Sequence, residues 1–417
     1  MKSSVLTMVA ILIGSLQTVV ACGGESAGKF DWGQWRGPNR DGVSAETGWS
    51  VKWPEEGPKK LWSASVGAGC SSVAISSGKL YTMGNSGKNG AKPDPANPDM
   101  DTVYCLDAAS GAVVWKFTYA QPLEPVGFEG GPCITPCVEG KFVYTLDKRG
   151  RAWCFEARTG KVVWDTDPQE KLDPAVGYGG VTASPLIEGN LLIWGGGALD
   201  KTTGKKVWET KHTCDKASPV AFTQGKIRCV AFTNAASVTA LNVSDGTPLW
   251  ELKWPSNMAS SDPIFSGDNV FISTRTVGAQ NSTALLQMGD GEPKVVWQNK
   301  NLGSYFYVRV LWQGCVYGYA ESGEFKCIDL KSGEVKWSTN KFQYANAQTA
   351  VADGKLLIAG GGNLVVAEAS PEGYKELART KAPSGTIAIV PVLCGGRIYC
   401  RSASGENNLV CFDVSSH

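Results

Sequence analysis

The chain has 417 residues, 42% of them hydrophobic, with 40 Lys and Arg against 39 Asp and Glu. That length and mix belong to a folded globular protein of one large or two ordinary domains, and they exclude a disordered or membrane-spanning chain. Near-cancellation of charge without any block of like sign excludes nucleic acid as a partner, while 50 Gly and 15 Trp beside 2 His favour short strands joined by tight turns.

The first residues have the chemistry of export. Lys2 supplies a positive start, and Val5 to Val20 is an apolar run too short and too interrupted by Ser and Thr to span a bilayer. Its end, Val19-Val20-Ala21-Cys22, resembles the lipobox of bacterial lipoproteins. The resemblance implies a lipoprotein-type signal peptide over 1–22 with Cys22 as the lipidated residue; the alternative is ordinary cleavage after Ala21. Residues 23–58 then form a tether and lead-in segment, flexible at Gly23-Gly24-Glu25-Ser26. No second apolar run approaches the length of a membrane helix, so membrane contact is expected only through an N-terminal lipid. The expected location is the periplasm or the outer membrane, as an anchored lipoprotein.

From residue 59 onward one pattern recurs: an acidic or Asn residue, Gly four later, and Trp four after that. Asp107/Gly111/Trp115, Glu156/Gly160/Trp164, Asp200/Gly204/Trp208, Asn242/Gly246/Trp250 and Asp329/Gly333/Trp337 share this spacing. A degenerate copy ends at Trp297 with Pro293 in place of Gly, another keeps Gly373 and ends at Leu377, and an eighth starts at Asp413 and runs out of chain. Each copy reads as a hairpin. A strand such as Val103-Tyr104-Cys105-Leu106 leads into a turn where Asp or Asn bonds its own backbone and Gly accepts positive φ, and a second strand closes on Trp. A second hairpin precedes each copy, with its turn at Gly78, Gly140, Gly189, Gly225, Gly267, Gly314, Gly354 or Gly396. These glycines lie from 36 (Gly189 to Gly225) to 62 (Gly78 to Gly140) residues apart, a period suited to one propeller blade.

Two hairpins per period predict an all-β, eight-bladed β-propeller with four-stranded antiparallel blades over 59–417. The eighth copy lacks its Trp, and the strand ending in Lys59-Lys60-Leu61-Trp62 lacks a partner. Joining them closes the ring with the N-terminal strand and removes the exposed sheet edge.

The repeat Leu106-Asp107-Ala108-Ala109-Ser110-Gly111-Ala112-Val113-Val114-Trp115 resembles the tryptophan-docking repeat of PQQ-type quinoprotein propellers, over roughly residues 60–417. The superfamily includes PQQ-dependent alcohol and glucose dehydrogenases and outer-membrane assembly lipoproteins of the BamB type. Asp31-Trp32-Gly33-Gln34-Trp35-Arg36-Gly37-Pro38 is similar to the lead-in of PQQ-like repeat proteins from planctomycete-type bacteria. The resemblance implies that the repeat's Asp, Gly and Trp hold blades together. It specifies fold far more strongly than activity.

The residues point away from catalysis. A quinoprotein dehydrogenase clamps a tricarboxylate quinone and Ca²⁺, and its alcohol-dehydrogenase branch carries adjacent cysteines; this chain has no Cys-Cys pair and no C-x-x-C-H. His212 and His417 offer neither nucleophile activation nor zinc spacing, so no catalytic residue and no metal ligand is assigned. Gly195-Gly196-Gly197 and Gly360-Gly361-Gly362 precede strands rather than helices, and read as bulges or tight turns.

Cys105, Cys154 and Cys327 each stand ten residues before their Trp, and Cys411 occupies the same place before Asp413. This is one structural position, read as small apolar filling. Cys133 and Cys137 on one strand are ~13 Å apart, beyond disulfide reach, and pairing across strands or blades stays open.

A binding site would lie at the channel mouth, where the innermost strands converge. These carry small residues, as in Ala183-Ser184-Pro185 and Ala217-Ser218-Pro219; Arg309 breaks the rule. With Glu129, Tyr178, Lys216 and Asp262 it is a candidate either for an anionic or sugar-like ligand or for an internal ion-pair set. Two loops, 86–100 and 119–131, stand out as places for partner contact. The expected role is a monomeric, non-catalytic envelope scaffold for protein or glycan partners, which the resemblance extends to outer-membrane protein assembly. The alternative is a PQQ-dependent oxidoreductase with calcium.

Overall fold

A computed structural model describes residues 28–416 except 29, 89, 91–93, 95, 126–128, 167–179, 215, 257–260, 277, 279, 343–345, 386 and 388. The expected signal segment, Cys22 and Tyr178 lie outside the described residues.

Eight sheets follow one another along the chain, and among the described residues there is no helix. Blade 1 comprises Ala74–Ser76, Lys79–Asn85, Met100–Asp107 and Val113–Ala120. Blades 2 to 7 repeat that antiparallel order, beginning at Cys137, Leu186, Val220, Ile264, Val310 and Gln348. Blade 8 has Val392–Leu393, Arg397–Arg401 and Leu409–Asp413, and its outermost strand is Lys60–Ala64 from the front of the chain. Trp62 stands opposite Cys411 in that pairing, so the ring closes as the leftover strands predict.

Each apolar cluster of the core is the seam between two neighbouring blades. Tyr81, Met83 and Cys105 of blade 1 pack with Val143, Trp153 and Phe155 of blade 2. Trp62, Leu409 and Cys411 of blade 8 pack with Ile75, Leu80 and Leu106 of blade 1. Burial of apolar area between blades therefore holds the ring together, and the repeat is what aligns them. Trp115 of blade 1 donates Nε1–H to the Ala157 carbonyl of blade 2 at 2.8 Å, and Trp62, Trp164, Trp208, Trp297 and Trp337 make the corresponding bond to Ala108, Lys201, Val243, Leu330 and Ser370. Trp250 differs: it bonds Gln224 Oε1 of its own blade. The repeat's cysteines Cys105, Cys154, Cys327 and Cys411 face Trp115, Trp164, Trp337 and Trp62 and are buried. In blade 7 the register puts Ala378, not Leu377, opposite Val366 in the tryptophan position, one residue later because its turn is longer.

The repeat's glycine has two reasons to be glycine: the turn of its own hairpin, and the packing of one blade on the next that the resemblance implies. At Gly111 φ is +72°, and a Cβ there would lie 2.6 Å from Cδ2 of Trp62, the tryptophan of the neighbouring blade. Gly160, Gly204 and Gly246 repeat both conditions at φ +72°, with a Cβ 2.6 Å from the rings of Trp115, Trp164 and Trp208. Gly333 does so at φ +73°, with a Cβ 2.7 Å from Trp297. None of these glycines seats the Trp four residues after it. Each is the floor for the Trp of the blade before, because that ring crosses the seam to reach the carbonyl of the next turn. Gly78 has the same φ as Gly111 but open space around it. Gly78→Ala is therefore expected to lower stability by about 1 kcal/mol, the left-handed backbone penalty alone. Gly111→Ala adds about 1–3 kcal/mol for displacing the ring. Equal urea midpoints for the two variants would refute the docking role.

Candidate functional site

The residues just before each innermost strand form a girdle around the axis. Ser72 N–H donates to Thr135 Oγ1 at 3.0 Å, Thr135 N–H to Ser184 Oγ at 2.9 Å, Ser184 N–H to Ser218 Oγ at 3.0 Å and Ser218 N–H to Asp262 Oδ1 at 2.7 Å. Further round, Val308 N–H donates to Gln348 Oε1 at 3.0 Å. Each link joins one blade to the next, which is why short oxygen-bearing side chains recur there. The series breaks after Asp262, because the following blade offers Val308, a side chain without an oxygen, as blade 8 offers Val390.

Residues 30–58, expected as a lead-in, are built into the ring as a strap across the channel. Trp32 bridges Ile75 of blade 1, and Val138 N–H of blade 2 donates to Gly33 O at 2.7 Å. Val43–Ser44 adds a parallel fifth strand to blade 7 beside Val351 and Ala352. Glu46 then accepts the Gly395 and Gly396 N–H groups of blade 8. These contacts fall downstream of the girdle positions, so the strap occupies one side of the girdle and the mouth loops the other.

Between these anchors the strap makes a tight turn that aims two arginines inward. Gly37 N–H bonds Gln34 O and Gly42 N–H bonds Arg36 O, with Arg36 and Arg40 both in the left-handed region at φ 60° and 56°. Such conformations persist in non-glycine residues where surrounding contacts dictate them. Arg36, 2% exposed, reaches Asp262 Oδ2 at 3.4 Å and the Arg309 carbonyl. Trp35 Nε1–H donates to the same Oδ2 at 2.7 Å. Arg40 donates to Pro185 O at 2.9 Å and Ser184 O at 3.1 Å, and burial lowers its pKa. One short segment thus touches blades on opposite sides of the axis.

The candidate residues separate into three groups. Asp262 belongs to the girdle and is held by the strap. Arg309 stands just before its strand rather than within it and turns away from the channel. It lies against Gly318 and donates to the carbonyls of Tyr307, Val308, Leu302 and Gly303, and burial brings its pKa down to about 9. Glu129 and Lys216 lie at the mouth. Glu129 accepts from Ser404 Oγ at 3.0 Å and keeps Oε2 buried with no hydrogen-bond partner among the described residues, while Lys216 donates to Gly180 O at 3.2 Å. The sequence singles out Asp262 but gives no sign of its partners Trp35 and Arg36, although their short segment stands apart from the repeat.

The loop carrying Glu129 is anchored from both sides. Lys148 donates to Pro122 O at 2.5 Å and pairs with Glu124 at 3.2 Å, and Asn85 donates to Gln121 O at 2.9 Å and to Asp101 at 2.6 Å. Burial raises the Asp101 carboxyl to about 6. The folded state therefore binds this proton more tightly than the unfolded chain, and stability falls as pH rises from about 4 to about 6, by about 3 kcal/mol in all. Asp101→Asn is expected to flatten that slope; a pH series of urea melts with an unchanged slope would exclude Asp101 as its source.

A family model described as outer membrane protein assembly factor BamB matches residues 99–339. The chain belongs to the BamB family. No curated protein matches the sequence. Among solved structures, BamB from Moraxella catarrhalis is similar at 14% identity over 85% of this chain and 98% of that one, with a TM-score of 0.60. Quinohemoprotein alcohol dehydrogenase from Comamonas testosteroni is similar at 13% identity over 93% of this chain and 81% of that one, with a TM-score of 0.61. At these identities the likeness is one of fold, shared by the BamB family and the dehydrogenases.

Proposed function

We propose that this chain is a non-catalytic, protein-binding scaffold of the bacterial envelope, exported, held by a lipid on Cys22 and serving outer-membrane protein assembly. One observation carries the reading: the strap crosses the ring and buries its two arginines against the girdle, so the surfaces that favour function are the rim, the mouth and the loops. A rigid ring presenting loops suits partner recognition, and membership of the BamB family favours a protein partner over a glycan.

The quinone alternative fits the residues poorly. A tricarboxylate quinone with Ca²⁺ calls for convergent oxygen ligands, yet both oxygens of Asp262 are already engaged by Ser218, Trp35 and Arg36. Among the described residues no three His, Cys, Asp or Glu side chains gather as a metal site.

Deleting the gene is expected to deplete outer-membrane β-barrel proteins selectively in quantitative envelope proteomics, with recovery on complementation. An unchanged envelope would overturn the assembly role. Adding PQQ and Ca²⁺ to the purified protein is expected to give no dye-linked alcohol or sugar oxidation, and turnover would restore the enzyme.

A further inference from the structure

We propose that Cys70 and Cys133 form an oxidisable dithiol that closes into a disulfide between blades 1 and 2 at the channel mouth. Of the cysteines among the described residues, these two alone are partly exposed; the others are buried. The reagent-accessible thiols of the described chain are thus next to each other.

Their loops are held together by backbone contacts that leave no slack. Ser71 N–H donates to Pro132 O at 3.0 Å, directly beside the two cysteines, and Ser72 N–H to Thr135 Oγ1 at 3.0 Å. On the other flank, Gly69 and Gly131 are the residues that let the chains touch. A Cβ on Gly131 would lie 2.2 Å from Ala68 O and 3.0 Å from Gly69 Cα, and one on Gly69 would lie 2.5 Å from Pro132 O. Within this frame each thiol perturbs the other's titration, and Cys133 Sγ donates to Gly131 O at 3.7 Å.

The surroundings assign the roles. The proximity of Cys70, its thiol first and its backbone N–H next, lowers the Cys133 pKa, helped by the nearby Lys216 and Arg401 cations. The same contact, burial and the Glu129 charge raise that of Cys70. Cys133 is therefore the attacking thiolate and Cys70 the resolving thiol. The co-reactant is a disulfide. With oxidised glutathione, Cys133 attacks one sulfur and expels a glutathione thiolate, leaving a mixed disulfide. Cys70 then loses its proton to solvent and attacks Cys133 Sγ, expelling the second glutathione. Two protein thiols are oxidised and one glutathione disulfide is reduced to two thiols. Closure makes the first seam of the ring covalent.

The test uses the full chain, reduced, freed of reductant and equilibrated with oxidised glutathione, then acid-quenched, alkylated and peptide-mapped. The expected product is a Cys70–Cys133 crosslink, with the bridged form exceeding the dithiol by at least ~tenfold and unfolding at higher urea than the reduced form. Cys70→Ser is expected to trap glutathione on Cys133, whereas Cys133→Ser leaves Cys70 largely unmodified. Two free thiols, glutathione on both without a bridge, or crosslinks to other cysteines would each overturn the proposal. The wild-type map decides the pairing even if a variant folds poorly.

Discussion

Replacing Arg36 with alanine is expected to lower the unfolding free energy by about 3–5 kcal/mol. The side chain is 2% exposed and its partner Asp262 is 4% exposed, so the change leaves a buried carboxylate without its paired cation, keeping the Ser218 N–H, the Trp35 indole and the more distant charge of Arg40. It also frees the Arg309 carbonyl, which otherwise accepts from Arg36. Because the loss comes mainly from an unpaired charge, Asp262→Asn in the same chain is expected to return part of it. Asn retains an acceptor for Ser218 and carries no charge. Urea melts of the two single variants and the double variant measure the coupling. If the double variant loses the sum of the two single losses, the ion pair is not what secures the strap. A second readout is local: protease cleavage within residues 45–58 is expected to quicken in Arg36→Ala, because the strap's inward anchor is gone.

The difference between what the sequence displays and what it conceals follows from periodicity. Asp107, Gly111 and Trp115 can be read because the same contact recurs in successive blades, so spacing alone exposes it. Spacing does not say which ring each glycine meets: Gly160 carries Trp115 and Gly204 carries Trp164, pairings that only the packing of one blade on the next creates. Closure can be read because Trp62 and the Asp413 strand are each missing the half that the other supplies. Arg36 has no such signal. It meets Asp262 across 226 positions and belongs to a segment that occurs once, while Arg40 reaches Pro185 across 145. Arg309 is visible as an anomaly among small residues, but its orientation is not: its partners are main-chain carbonyls, which every sequence possesses. The mouth thiols are hidden for a related reason. Cys70 lies in the approach to blade 1 and Cys133 in the approach to blade 2, outside the spacing that marks Cys105, Cys154, Cys327 and Cys411 as one position. The contact of Gly69 with the Gly131 segment and the bonds from Ser71 to Pro132 and Ser72 to Thr135 bring them together.

Trp62→Ala is expected to cost about 3–5 kcal/mol from lost burial alone, and to have a further consequence that Trp115→Ala does not. Trp62 is 8% exposed, donates to Ala108 O at 3.2 Å, lies against Gly111 and packs its ring 6.0 Å from that of Tyr399. The first two contacts dock Lys60–Ala64 on blade 1, and the third supports its pairing with Leu409–Asp413, in a blade whose outermost strand comes from the front of the chain. Trp115 performs the same docking inside a blade that hairpins already keep intact. Loosening Trp62 therefore releases a strand and bares the edge of Leu409–Asp413, and unpaired edges recruit other chains. Concentration-dependent oligomers in size-exclusion chromatography are expected for Trp62→Ala and not for Trp115→Ala, at similar losses in urea midpoint. If both variants stay monomeric at every concentration, closure rests on the remaining strand pairing rather than on the tryptophan. If both associate equally, the N-terminal strand is no weaker a link than any other seam.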